Sequence, residues 1–219
     1  MKPFAALTAT AAVLSIVACG PSQAEIDAAK AQATKDSLAN VAAMEKTYMV
    51  DAGASTVRWA GNTSGAKVYG HFGNVALNSG SFSVKGGSLI SGNFEVNMKS
   101  ITPLDSNYAP DDAKEGTKAN LMQHLGTGEF FLTDSFPTAT FKVTSVEGNT
   151  ATGDLTVRGK TNAEKVTDIV ITEENGKATA TGKLVFDRQK YGVSWKHFMK
   201  DVLLADDIEL TINLTGSAQ

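Results

Sequence analysis

The sequence holds one cysteine in 219 residues. A chain with a single thiol forms no internal disulfide and builds no cysteine-based zinc site. Histidine is nearly as scarce. His71, His124 and His197 stand more than fifty residues apart, in none of the short spacings that hold a metal. Charge of one sign is not concentrated anywhere: 20 basic and 23 acidic residues are interspersed, for a net −3. The electrostatic footprint of a nucleic-acid binder is therefore missing. There is no G-x-S-x-G elbow and no phosphate-cradling glycine loop. Asp206-Asp207, ahead of the last strand, could look like acidic catalysis, but neighbouring strand residues face opposite sides. It reads as turn chemistry rather than as catalysis. No local pattern points to an enzyme.

Long apolar runs are missing too, with one exception: Phe4 to Ala18, uncharged and fifteen residues long. A helix needs about 20 such residues to cross a hydrocarbon core. The run follows the basic Met1-Lys2 and ends in Ile16-Val17-Ala18-Cys19, an aliphatic residue, a small one and then cysteine. That is the pattern of a signal peptide, residues 1–18, with a lipobox. Cys19 is then the acylated N-terminus, which anchors the chain to a membrane without spanning it. The alternative is an ordinary signal with a chance cysteine beside it. Gly20 lacks the aspartate that retains lipoproteins at the inner membrane in enteric bacteria. The expected address is therefore the periplasmic side of the outer membrane.

Residues 19–47 form the lipidated terminus and a spacer rich in Ala, Gln, Lys and Asp, with a weak helical stripe of Leu38, Val41 and Met44. A competing reading has that stripe packing on the domain or a partner. From Tyr48 the apolar period changes to two: Val57 and Trp59, Phe82 and Val84, Phe94 to Met98, Leu155 and Val157, Leu184 and Phe186, Ile208 to Leu214. About eight antiparallel strands in a sandwich or barrel are expected over residues 48–217. Turns are expected at Asn78-Ser79-Gly80, Gly86-Gly87, Glu147-Gly148-Asn149 and Glu174-Asn175-Gly176. One α-helix is expected from Asp111 to Leu125, with Asp111 and Asp112 at its start and Gly126 at its end. A second helical turn is expected near His197 to Leu203.

Seven strings occur in an order that resembles the YceI-like family, bacterial periplasmic and lipid-anchored proteins. They are YMVDAGASTVRWAG (48–61), GAKVYGHFG (65–73), FEVNMKSI (94–101), HLGTGEFF (124–131) with FPTATF (136–141), GDLTVRGKT (153–161), FDRQKYGV (186–193) and DDIELTINL (206–214). The resemblance implies an all-β, eight-stranded, lipocalin-like barrel whose apolar interior binds a long isoprenoid, such as a polyprenyl chain or a quinone tail. No other cofactor is implied. The chain departs from the usual family form at Ala54, before Ser55, where that form carries a histidine.

Candidate lining residues are Phe82, Phe94, Val96, Met98, Leu125, Phe130, Phe131, Phe141, Leu155, Val157, Phe186 and Trp195. The same residues equally suit a packed core. Phe130-Phe131 is a candidate lid, with Leu121 and Leu125 as a plug. His124 and Arg188 are candidate headgroup contacts; the competing roles are helix capping for His124 and loop pinning for Arg188. The leading reading is a lipid-binding lipoprotein. An interaction lipoprotein with a filled barrel and an enzyme acting on a lipid headgroup are the alternatives, and a homodimer is left open.

Overall fold

A computed structural model describes residues 21–42, 44–65, 68–197 and 200–219. Residues 1–18 and Cys19, the expected signal and anchor, lie outside the described residues. The chain falls into two units, Met1–Val41 and Ala42–Gln219. In the first, α1 spans Gln23–Ala42. Ser22 opens it, its backbone N–H and hydroxyl both bonded to Glu25. Almost every residue of this helix is exposed, which suits a spacer with too few large apolar side chains to form a buried face.

Among the described residues the second unit holds nine strands: β1 Glu45–Val50, β2 Thr56–Gly65, β3 Gly70–Lys85, β4 Ser88–Pro103, β5 Thr138–Glu147, β6 Thr150–Val157, β7 Lys160–Glu174, β8 Lys177–Asp187 and β9 Val202–Ala218. Each neighbouring pair from β2 to β9 is antiparallel, β9 returns to β2, and β4 pairs with β3, so the sheet closes on itself. The short β1 uses the same two neighbours as β2, meeting β3 at Tyr48–Phe82 and β9 at Met49–Ser217. Nine strands thus fill eight positions of an up-and-down barrel. The first position is interrupted by a turn at Asp51, whose carboxylate accepts from the Gly53 and Ala54 N–H groups. Ala54 is exposed in this turn.

Three of the expected turns close hairpins at one end of the barrel. Gly86-Gly87 and Asn175-Gly176 all have positive φ, as two-residue turns of the right twist require. The fourth, Asn78-Ser79-Gly80, is no turn. It lies within β3, where the register against β4 shifts between Leu77 and Ser79. Gly80 is there for space: a Cβ would come within 2.8 Å of the Phe94 ring. At the opposite end β6 and β7 are joined by a two-residue turn, Arg158-Gly159, but two connections are long. The 104–137 segment carries α2, Lys118–Gly126, and a 3₁₀ turn at Arg188–Tyr191 follows β8.

Helix α2 begins seven residues later than expected. Thr117 is the N-cap, in reciprocal bonds with Asn120 (3.1 Å each way). Asp111 and Asp112 lie in turns ahead of it, and a Ser/Thr cap with an amide three residues on satisfies two orphan donors together. The second expected helical turn, His197 to Leu203, lies partly outside the described residues, and Lys200 and Asp201 form a turn. Val202 and Leu203 already belong to β9, as do Asp206 and Asp207, whose alternating apolar residues favour a strand. The described helices include none long and apolar enough to cross a membrane.

Candidate ligand cavity and its mouth

Inward-facing side chains alternate along every strand, yet they do not fill the barrel. They surround a cavity of about 970 Å³. All twelve candidate apolar residues, from Phe82 to Trp195, line it, and Leu121 joins Leu125 from α2. At the hairpin end it stops above Tyr48, Val84 and Ala178, which are buried and outside the lining. The Tyr48 hydroxyl donates to Glu173, and Lys46 Nζ lies 3.1 Å from the same carboxylate. Burial and the neighbouring Glu173 push the Tyr48 hydroxyl up to about 12. The bond from Tyr48, against the opposing effect of burial, holds Glu173 below its ordinary value. That end is closed.

Polar and aromatic groups gather at the other end. His71, His124 and His197, far apart in sequence, all reach the cavity there. A chain of ring contacts connects them: Tyr108 stacks on His71 (5.2 Å), Tyr69 meets both His71 (5.6 Å) and His197 (6.4 Å), Trp195 meets His197 (5.8 Å) and His124 (5.0 Å), and Phe130 packs on His124 (4.8 Å). Sequence spacing gave no hint of this collar, because only closure of the barrel brings its segments together. The imidazoles do not converge on one point, and among the described residues no group of three ligands suits a metal.

Asp105 anchors one side of the collar. It accepts from the Tyr108 hydroxyl at 2.6 Å and from the N–H groups of Phe72 and Asn107, and it meets His71 Nδ1 at 3.1 Å. Burial pushes its carboxyl up, but these bonds together outweigh burial and hold it at about 2. On the other side His124 Nε2 lies 2.8 Å from Glu129 while its ring faces Phe130 and Trp195. It stands in the last turn of α2 and lines the cavity.

Arg188 is 2% exposed. Its nitrogens donate to the carbonyls of Ala205, Val193, Trp195 and Leu204 and to Asp206 Oδ1. A guanidinium has five donors, and five partners take them. Arg188 borders the cavity but pins the 188–206 loop, with no donor left for a headgroup. Trp59, absent from the candidate residues, also lines the cavity. Its indole N–H is buried and unpartnered.

The YceI-like domain family matches residues 48–216. The chain belongs to the YceI-like family. A UPF0312 protein of Staphylococcus aureus strain bovine RF122 is 36% identical over 98 residues, covering 39% of this chain and 55% of the relative. The counterpart in strain N315 is 35% identical over the same length. The YceI-like chain therefore spans about half the length of the curated relatives it matches. Burkholderia cenocepacia BcnA shares its fold, with a TM-score of 0.57 at 18% identity over 76% of this chain and 98% of that one. A polyisoprenoid binding domain from Saccharophagus degradans gives a TM-score of 0.48 at 10% identity, over 78% and 98%. The position of the usual family histidine, Ala54 here, lies outside the cavity lining.

Proposed function

We propose that this YceI-like protein is a non-enzymatic binder of an apolar isoprenoid-type lipid, a polyprenyl or quinone tail, carried or sequestered in the barrel. Acylated Cys19 and the spacer tether it to the periplasmic side of the outer membrane. The observation that carries the ligand reading is the cavity. Side chains packed to interior density leave few voids larger than a water molecule, so an apolar space of 970 Å³ makes a filled barrel the poorer account. The volume sits at the upper end of the ~300–1,000 Å³ usual for ligand sites, which are apolar with a few placed polar groups. Each CH₂ transferred from water contributes about 0.8 kcal/mol, so ten carbons offer enough for micromolar binding before ordering costs.

The test is organic extraction of the purified, unacylated protein followed by mass spectrometry, with uptake of added quinones and polyprenols measured in parallel. A co-purifying isoprenoid, or saturable one-to-one uptake, is expected. Finding no co-purifying lipid and no uptake would sink the reading.

A further inference from the structure

Four large apolar side chains face solvent around the mouth. Val68 is 77% exposed between β2 and β3, Leu203 61% at the start of β9, Leu104 52% just past β4 and Met122 43% on α2. Leu203 pairs with Ser64, on the strand that leads to Val68. The Leu104 N–H donates to the Phe72 carbonyl, which sets Leu104 beside the next strand, β3. On α2, Asn120, Leu121, His124 and Leu125 line the cavity whereas Met122 does not. Scattered apolar residues on a surface are ordinary; a set drawn from four segments to the rim of one apolar opening is not. Charge is divided around the same rim: the 104–137 segment is acidic, with Asp111, Asp112, Glu115, Glu129 and Asp134, and the basic residues lie on the other connections. Arg158 and Lys160 flank the β6–β7 turn, and Lys190, Lys196 and Lys200 lie between β8 and β9. The Arg158 guanidinium donates to the Gly192 carbonyl at 2.6 Å, joining these two basic segments.

We infer that the mouth rim docks on an anionic phospholipid bilayer. Val68, Leu203, Leu104 and Met122 enter the boundary between headgroups and acyl chains, and Lys196 and Lys200 face the anionic headgroups. The inference rests on the apolar-ligand reading above. A tail moving between bilayer and cavity through water is disfavoured about fourfold for every CH₂ exposed on the way, and a seated mouth removes that crossing. The 104–137 and 188–201 segments, which hold most of the collar, then meet the membrane first. Glu45, where the chain joins the barrel, pairs with Lys85 at the hairpin end, away from the docked bilayer.

The chain from residue 19 onward, with Cys19→Ala so that no acyl group anchors it, is sedimented with phosphatidylglycerol–phosphatidylcholine vesicles. Binding is expected, weakening with pure phosphatidylcholine vesicles and in high salt. The double variant Val68→Glu/Leu203→Glu should lower the bound fraction at least about tenfold, with its melting temperature unchanged. Met49→Glu, 45% exposed on β1 near the hairpin end, should bind like the parent. Vesicle binding lost equally on Met49→Glu overturns the docking surface. So does self-association that the Val68/Leu203 variant abolishes without any vesicle binding, since the rim would then join copies of this chain. Quinone uptake from ethanolic solution, measured without vesicles, separates the two readings. Uptake with no vesicle binding overturns docking and leaves the ligand standing; vesicle binding that depends on the rim but comes without uptake supports docking and removes the ligand.

Discussion

Arg188 shows how a single side chain sets the shape of the mouth. Its five donors tie the end of β8 to the loop carrying Trp195 and to the start of β9. Burial pushes its pKa down, and the nearby carboxylates of Asp206 and Asp187 partly offset this. Arg188→Leu leaves several buried carbonyls unpaired and should cost about 3 kcal/mol or more, read as a lower urea midpoint with an unchanged slope. Asp105 plays the matching role on the opposite side. Its folded pKa is about 2 against an ordinary 3.8. A depressed carboxyl adds stability above its unfolded value and loses it as pH falls through the folded one. The 105–108 segment should therefore loosen between about pH 4 and pH 2, seen as faster amide exchange around Tyr108. In Asp105→Asn that acid-dependent step should vanish and exchange should already be fast at neutral pH.

At the scale of elements, the period-two pattern was enough to read the strands, because one face of each strand packs inward whatever its neighbours do. The same pattern put the eight strand candidates, from Phe82 to Phe186, on the interior face, although it could not say whether that interior was filled; Leu125, Phe130, Phe131 and Trp195 reach the cavity from α2 and the long segments. Errors fell where local composition competed with longer contacts. Gly80 resembles a turn residue, yet it is small because the Phe94 ring needs the room. Asp111-Asp112 resembles a helix start, yet Thr117 with Asn120 makes the better cap. That His71, Tyr108, Trp195 and His197 gather in one collar carried no local signal, since they meet only through closure of the ring. The cap itself is open to test. Thr117→Ala should cost about 1 kcal/mol, and because α2 lines the cavity mouth, it should also speed release of a bound lipid. A fluorescent isoprenoid chase in stopped flow measures that rate. An unchanged rate would show that α2 is no gate.

For the whole molecule, the geometry separates two ends with different tasks. The hairpin end is sealed by Tyr48, Glu173 and Lys46 and receives the chain at Glu45. The opposite end holds the collar and the long segments. Strands of 16 residues such as β3 and β4, at ~3.3 Å per residue and a usual tilt, give a barrel about 40 Å tall. A helix of 20 residues spans about 30 Å. If Cys19 is the anchor, the spacer from Gly20 to Met44 has a length comparable to the barrel, so its length decides whether the mouth reaches the anchoring bilayer or a facing one. Shortening it by ten residues should slow lipid pickup from the anchoring membrane and leave binding of soluble ligand unchanged. The cavity is nevertheless the centre of the account, and native mass spectrometry of the unacylated protein with a long-chain isoprenoid quinone tests it most directly. One ligand per chain is predicted for the parent, with weaker binding by Ala139→Phe, whose ring takes up part of the lined space; no ligand on the parent would contradict it.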